Sequence, residues 1–346
     1  MAERAGRNGV RLRPHFKTHQ SAQIGEWFRP FGVQAITVSS VSMARYFADN
    51  GWQDITIAFP VNQLEIEAIE ALAARVQLGL LVEAVETVEF LAGHLTHPVK
   101  LWLKIDVGYG RTGVNWRDTD ALDALATAIG SVPQLELAGI LTHAGHTYKA
   151  RSRSEIEVVY ADFVFKMKAA KARLEEVGVT QIEISIGDTP SCSVVNDLSE
   201  VDEIRPGNFV FYDVMQHQIR ACRESDIAVA LACPVVAKHA EKGKLVIYGG
   251  AVHLSKERLL LDGREIFGYV ALPTAQGWGP RLENALVTSL SQEHGIIEGD
   301  AATLDQVQVG DLVVVLPVHS CLTANLMRKY QTLEGEIITL GNLDTP

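Results

Sequence analysis

The sequence predicts an α/β chain in which a (β/α)8 TIM-type barrel over residues 1–213 is followed by a C-terminal β domain over 214–346. Through about residue 212, short apolar runs alternate with amphipathic helical stretches. Beyond it, helical periodicity gives way to β-type runs separated by tight turns. Polar, glycine-rich loops also fall at the C-terminal ends of the early strands, where a parallel barrel places its chemistry.

Candidate strands of the first part cover 11–17, 33–38, 54–58, 77–82, 100–106, 135–142, 181–186 and 208–212. Helix-like segments include 41–50, 64–74, 119–129 and 154–176. Strands that return in the same direction need crossover helices, so this order requires a parallel sheet, and about eight such units close a barrel. A doubly wound open sheet is the alternative. No Gly-x-Gly-x-x-Gly follows an early strand, which weakens its dinucleotide-binding form. In the second part, 227–236, 244–247, 265–272, 285–291 and 311–316 are short β-type runs, with turns at Lys242-Gly243, Asp262-Gly263 and Gly299-Asp300.

At 346 residues the chain has room for both parts. Its 47% hydrophobic and 21% charged residues are ordinary for a soluble globular protein. A net charge of −11 argues against a nucleic acid or an anionic membrane as partner. No apolar run reaches the roughly 18 residues that a membrane span needs. Met1-Ala2-Glu3-Arg4 lacks a signal-peptide core, so a cytoplasmic location is expected. The four cysteines, Cys192, Cys222, Cys233 and Cys321, form no Cys-x-x-Cys and read as reduced thiols, any of which could ligate a metal.

The chemistry centres on Arg13-Pro14-His15-Phe16-Lys17-Thr18-His19. Read as a strand end, it puts Val10, Leu12 and Phe16 on one parity and Arg13, His15, Lys17 and His19 on the other. A lysine between two imidazoles, facing a cavity, loses part of its hydration and feels nearby positive charge. Both effects favour a neutral amine that can attack an aldehyde. A surface lysine at a strand end has the same local sequence.

The remaining strand ends carry Lys104-Ile-Asp106-Val-Gly108-Tyr-Gly110-Arg111-Thr-Gly113, Thr142-His143-Ala-Gly145-His146-Thr-Tyr148, Ser185-Ile-Gly187-Asp-Thr189-Pro-Ser191 and Glu203-Ile-Arg205-Pro-Gly207-Asn208. Glycines and hydroxyls at two neighbouring strand ends suit a phosphate, whose oxygens take backbone N–H and hydroxyl donors. A lysine, an arginine, a stackable histidine and a phosphate cup together describe a site for pyridoxal 5'-phosphate.

These motifs, with Pro317-Val-His319-Ser-Cys321, resemble the fold-type III pyridoxal phosphate enzymes, specifically the D-serine dehydratase / D-threonine aldolase family with its alanine racemase-like N-terminal domain. The similarity covers nearly the whole chain, in the family's order. It implies a barrel plus a β domain, and a homodimer whose active sites lie between one subunit's barrel and the other's β domain. By position, Lys17 resembles the lysine that holds the cofactor aldehyde, Arg111 the arginine near its phenolic oxygen, and His143 the histidine packed on its ring. Tyr148 resembles a tyrosine lining the dehydratase site. Gly187, Thr189, Gly207 and Asn208 fall where phosphate contacts are expected, and Arg205 aligns with an arginine that meets the pyridine nitrogen in racemases. The family normally places a strand and a helix before the lysine motif; this chain begins almost at the lysine strand.

In extended chain, His319 and Cys321 would point to one face and could close on a single ion while Ser320 faces away. The same spacing is common by chance, but within the resemblance it implies a metal pair. Nitrogen with sulfur favours zinc, and two protein ligands leave positions open for catalysis. Aldolases of the family tend to carry His-x-Asp here, so Cys321 points to elimination. The expected function is PLP- and metal-dependent conversion of a D-3-hydroxy amino acid, such as D-serine, to a 2-oxo acid and ammonia. The alternatives are D-threonine aldolase-type cleavage and a non-catalytic PLP-binding protein.

Overall fold

The computed structural model describes residues 1–342, which divide into two compact units. Met1–Phe209 form the first, to which Gly341 returns, and Val210–Leu340 form the second. The division therefore falls earlier than the break after residue 213 expected from the sequence. The reason is packing: Tyr212 lies against the second unit's cluster of Val214, Ile227, Ile266, Tyr269 and Leu316, and the Phe211 carbonyl accepts the Ala228 N–H (2.8 Å). Gly341 donates its N–H to the Gln20 carbonyl (2.7 Å).

The first unit runs α1 (Ala2–Asn8), β1 (Arg11–Leu12), α2 (Ala22–Glu26), β2 (Ala35–Val38), α3 (Val41–Asp49), β3 (Asp54–Pro60), α4 (Ile66–Ala73), β4 (Gln77–Val82), α5 (Val85–His94), β5 (Val99–Asp106), β6 (Val114–Asn115), α6 (Thr119–Gly130), β7 (Leu135–Thr142), α7 (Arg153–Glu176), β8 (Glu183–Ile186), α8 (Thr189–Val194) and β9 (Glu203–Ile204). The strands order as β1-β9-β8-β7-β5-β4-β3-β2, all pairs parallel, with β6 added beside β5. The two ends of this series meet through one parallel bridge between His15 and Thr37. There Phe16 N–H donates to Thr37 O (2.8 Å) and Thr37 N–H to Pro14 O (3.0 Å).

Strand β4 is buried from Leu78 to Val82, as a parallel strand covered on both faces must be. Helices α3, α6 and α7 start where the Ser40, Asp118 and Ser152 side chains accept a backbone N–H of the first turn. Helix α7 turns Ile156, Tyr160, Phe163, Met167, Ala170 and Leu174 inward at helical spacing.

Three details depart from the sequence expectation. The assigned first strand covers only Arg11–Leu12, although Arg13 N–H and His15 N–H still donate to Ile204 O (2.9 Å) and Pro206 O (3.0 Å), and the chain turns at residues 16–19 instead of running extended to Lys17. Residues 208–212 are not the eighth strand; Asn208–Val210 form a 3-10 turn, and β9 supplies the last rung instead. Helices α1, α2, α5 and α8 are not among the segments named from the sequence.

Inside this barrel Arg13 is buried between two carboxylates. Its Nε lies 2.7 Å from Glu203 Oε2 and its Nη1 2.5 Å from Asp54 Oδ1. The chain of contacts continues from Ser185 Oγ to Glu203 Oε1 (2.7 Å) and from Arg205 Nε to Ser185 Oγ (2.7 Å).

In the second unit, α9 (Val214–Gln218) precedes β10 (Leu231–His239), β11 (Lys244–Tyr248), α10 (Ala251–Leu254) and the hairpin β12 (Leu259–Leu261)–β13 (Arg264–Ile266). Then come β14 (Gly268–Thr274), β15 (Gly277–Leu290), β16 (His294–Gly299), α11 (Ala301–Leu304), β17 (Leu312–Pro317), α12 (Ser320–Met327) and the hairpin β18 (Lys329–Gln331)–β19 (Ile337–Thr339). Strands β10-β11-β16-β15-β14-β17 close an antiparallel barrel. Its interior follows the two-residue period: Leu231, Cys233 and Val235 are buried while Ala232 and Pro234 face out. Strand β16, absent from the sequence expectation, pairs with both β11 and β15.

Candidate active site

The lysine motif is a strand end that runs into a turn: Arg13 and His15 keep parallel backbone bonds, and residues 16–19, Lys17 among them, form the turn. Phe16 is fully buried, with its ring centroid 4.9 Å from Phe47 and 5.1 Å from both Phe28 and Trp52. His19 joins that aromatic cluster, 4.4 Å from Phe16, and so leaves the face the strand parity gave it beside Lys17. Burial drives its pKa down to about 3 although the Ser21 N–H contact opposes the shift. His15 stays with the lysine, its Nδ1 3.4 Å from the Lys17 backbone N. Lys17 itself is exposed, so neighbouring charge, more than burial, is what its surroundings supply.

Those surroundings are strongly cationic. Burial, and then the charges of Lys17, Lys104, Arg111 and Arg205, hold the His143 pKa well below its ordinary value. Burial, with Lys17, Arg205 and His143, does the same at His15. Both rings are therefore neutral at pH 7. Tyr148 lies 6.0 Å from His143, tilted by 43°. Tyr109 meets His143 edge-on at 6.3 Å and carries the Arg111 guanidinium 5.3 Å from its ring centre. Arg205 is buried and bonds neutral acceptors, Ser185 Oγ and the Thr142 carbonyl (2.8 Å). Lys104 is buried too, and burial followed by Arg205 and Arg111 lowers its pKa to about 7. Asp106, the nearby carboxylate, is occupied by the N–H groups of Gly108 (2.9 Å) and Gly110 (3.0 Å), which fold the glycine-rich loop.

Four basic side chains around neutral imidazoles make a site for an anion. This donor set fits pyridoxal 5'-phosphate, with its phosphate dianion and phenolic oxygen, beside a lysine amine that can take its aldehyde. Close approach accounts for glycine at positions 187 and 207. A Cβ on Gly187 would lie 2.9 Å from Arg205 Nη1, and one on Gly207 would lie 2.9 Å from His15 O and 3.0 Å from Thr18 Oγ1. Thr189 and Asn208 are both buried at neighbouring strand ends. Ser191, in the same helix as Thr189, is buried as well.

His319 and Cys321 lie in the second unit, and their geometry differs from the extended one. His319 has extended dihedrals (φ −134°, ψ 101°) but precedes α12, so Cys321 is already in the first helical turn. Ser320 does not face away into solvent; it is buried, with its N–H 3.1 Å and its Oγ 3.3 Å from Asp213 Oδ2. The imidazole and the sulfur still meet. Burial opposes the charged ring, yet Cys321 and Glu257 outweigh it and raise the His319 pKa to about 10. Glu257 Oε2 is 4.0 Å from His319 Nδ1. Among the described residues no group of three His, Cys, Asp or Glu ligands forms. The nitrogen–sulfur pair fits a zinc ion held by two protein ligands.

Sequence reading quoted Lys104 and Tyr109 within a strand-end motif without giving either a role, and did not single out Asp213 or Glu257. Lys104 had a signal, a lone cation inside the apolar run from Leu101 to Ile105. Asp213 and Glu257 had none, since each is far along the chain from His319.

The family model for the alanine racemase N-terminal domain matches residues 1–214, and the putative serine dehydratase domain matches 228–333. The chain belongs to the alanine racemase N-terminal domain family, the fold-type III pyridoxal phosphate enzymes that its motifs resemble. Its similarity is to the dehydratase branch. It is 28% identical to D-threo-3-hydroxyaspartate dehydratase of Delftia sp. (strain HT23), over 97% of this chain and 90% of that protein. The solved structure of that enzyme superposes with a TM-score of 0.89 at 26% identity, covering 98% of this chain and 92% of that one. It has also been solved as a histidine-to-alanine mutant and as a cysteine-to-alanine mutant in the metal-free form. D-serine dehydratase of Dictyostelium discoideum is 28% identical over 97% of this chain and 89% of that protein. D-threonine aldolase of Arthrobacter sp. is more distant, at 26% identity over 60% of this chain and 56% of that protein.

Proposed function

We propose that this protein is a pyridoxal phosphate- and zinc-dependent lyase that eliminates water from a D-3-hydroxy amino acid, D-serine or D-threo-3-hydroxyaspartate, as a cytoplasmic homodimer. The observation that carries it is the cluster of Lys17, Lys104, Arg111 and Arg205 about the neutral His143 ring. The names of the two dehydratase relatives support the substrate class. The acidic surface supports a small molecule, rather than nucleic acid or membrane, as partner.

Pyridoxal phosphate bound at Lys17 supplies an electron sink for the substrate α-carbon. Gly187, Thr189, Gly207 and Asn208 would supply donors for its phosphate, and Arg111 and Arg205 would hold its phenolic oxygen and its ring nitrogen. His143 packs on the ring, and Tyr148 lines the substrate side. The Lys17 amine takes the α-proton and stays near the α-carbon. Neutral His15 and His143 let it do so without adding charge to an already positive site. Zinc on His319 and Cys321 supplies Lewis acidity for departure of the 3-hydroxyl. The water lost in elimination is regained when the released enamine hydrolyses, so the net products are a 2-oxo acid and ammonia.

The solved relative with mutated histidine and cysteine, two positions apart as His319 and Cys321 are, supports the metal pair. Cys321, in place of an aspartate, favours elimination over retro-aldol cleavage. The match of 228–333 to a serine dehydratase domain argues against a bare PLP-binding barrel. Purified protein should contain zinc, absorb in the visible from bound cofactor, and turn D-serine or D-threo-3-hydroxyaspartate into 2-oxo acid and ammonia. Glycine and an aldehyde from D-threonine, with no 2-oxo acid from either other substrate, would replace this function with aldol cleavage.

A further inference from the structure

We infer that Asp213 and Glu257 are positioning residues for the metal pair, Asp213 setting the turn that carries both ligands and Glu257 setting the imidazole. The inference rests on the metal role proposed for His319 and Cys321. Asp213 is buried, 1% exposed, and both its oxygens are engaged. Oδ1 accepts the Gln216 N–H (2.9 Å) at the start of α9, and Oδ2 accepts both the N–H (3.1 Å) and the Oγ (3.3 Å) of Ser320. Met215 N–H adds a bond to the Val318 carbonyl (3.2 Å), so the same two segments are tied on either side of His319.

Ser320 stands between the two ligands, and that is why its attachment matters. An ion at about 2.0 Å from nitrogen and about 2.3 Å from sulfur tolerates little rotation of the intervening peptide. Two donors of Ser320 held by one carboxylate oxygen resist that rotation. Replacing them with water would leave the strand-to-helix junction to choose its own dihedrals.

Glu257 acts on the ring. Its Oε2 faces His319 Nδ1 at 4.0 Å, and its backbone N–H is anchored to Ser255 Oγ (3.1 Å). A carboxylate beside Nδ1 favours the tautomer protonated there and leaves Nε2 with its lone pair for the ion. Neither carboxylate is needed as a ligand.

The test compares zinc affinity, by competition with a chromogenic chelator, in the wild-type holoenzyme and in Asp213→Asn and Glu257→Gln. The variants should bind zinc about 10–100-fold more weakly while keeping the cofactor's visible absorbance. With cobalt in place of zinc, the thiolate-to-metal band should persist in Glu257→Gln and weaken or shift in Asp213→Asn. Glu257 exposes 41% of its side chain, so its variant keeps the test open if Asp213→Asn fails to fold. Zinc affinity unchanged in Glu257→Gln, and in Asp213→Asn where it folds, would overturn the inference alone. A wild-type protein that takes up no zinc would instead overturn the metal role on which it rests.

Discussion

The two sets of candidate groups are built by opposite strategies. In the first unit, Lys17, Lys104, Arg111, His143 and Arg205 come from the ends of separate elements and act through a shared field. In the second, His319 and Cys321 come from a single strand-to-helix turn and act through direct contact. A field made by several cations survives the loss of any one distant contributor. A two-ligand pair loses its geometry when either member goes.

Substitution at the two functional centres should give the largest effect and the clearest separation. Lys17→Ala should remove the cofactor's visible band and lower kcat/KM by at least about 10²–10⁴-fold, the range for losing a positioned proton-transfer group. Cys321→Ala should lower kcat by about 10²–10³-fold, through loss of several kcal/mol of Lewis-acid stabilisation, while the band stays. Loss of the band in Cys321→Ala, or full turnover without metal, would erase the distinction between the two sets.

The next effect is on folding of the first unit. Glu203 accepts from Arg13 and Ser185 in a fully buried network, so Glu203→Gln leaves Arg13 short of a counter-charge. Urea unfolding should show a loss of about 3–5 kcal/mol. A loss below about 1 kcal/mol would mean that Asp54 alone satisfies Arg13.

Per residue, the smallest effect is a pH slope. The pKa values of His15, His19 and His143 are all depressed in the folded chain, His19 to about 3. Below an unfolded pKa of about 6.5 the unfolded chain binds protons that the folded chain refuses, so stability is full above that pH and falls as pH drops. Each imidazole should contribute about 1.4 kcal/mol per pH unit to the decline. Thermal unfolding of cofactor-free protein between pH 7.5 and 5 checks this. A flat profile would show that these rings titrate in the folded chain as they do unfolded, and would remove the lowered pKa assigned to His143.

The legible parts of the molecule were those with local periodicity or punctuation. The bounds of β4 and β7 match the expected ranges, because each is a compact apolar run. The two units were visible in the change from helical to two-residue period. The lysine turn was harder: Arg13 to His19 satisfies the strand alternation, yet the chain turns at residues 16–19 and the aromatic cluster around Phe16 takes His19 away. His319 and Cys321 were expected as a pair from the resemblance, their spacing alone being common by chance, and the strand-to-helix bend between them was not read.

The sequence by itself determined which residue types were available and in what order: a βα series, then β strands, with a basic or polar residue at each early strand end. Those properties depend on neighbours within a few positions, which a linear reading can see. Only the tertiary structure decided that Lys104 and Arg205 crowd His143, that Gly187 and Gly207 must lack a Cβ, and that Asp213 holds Ser320. Charge interaction, close packing and hydrogen bonding all act over a few ångströms of space, and the residues concerned lie tens of positions apart along the chain.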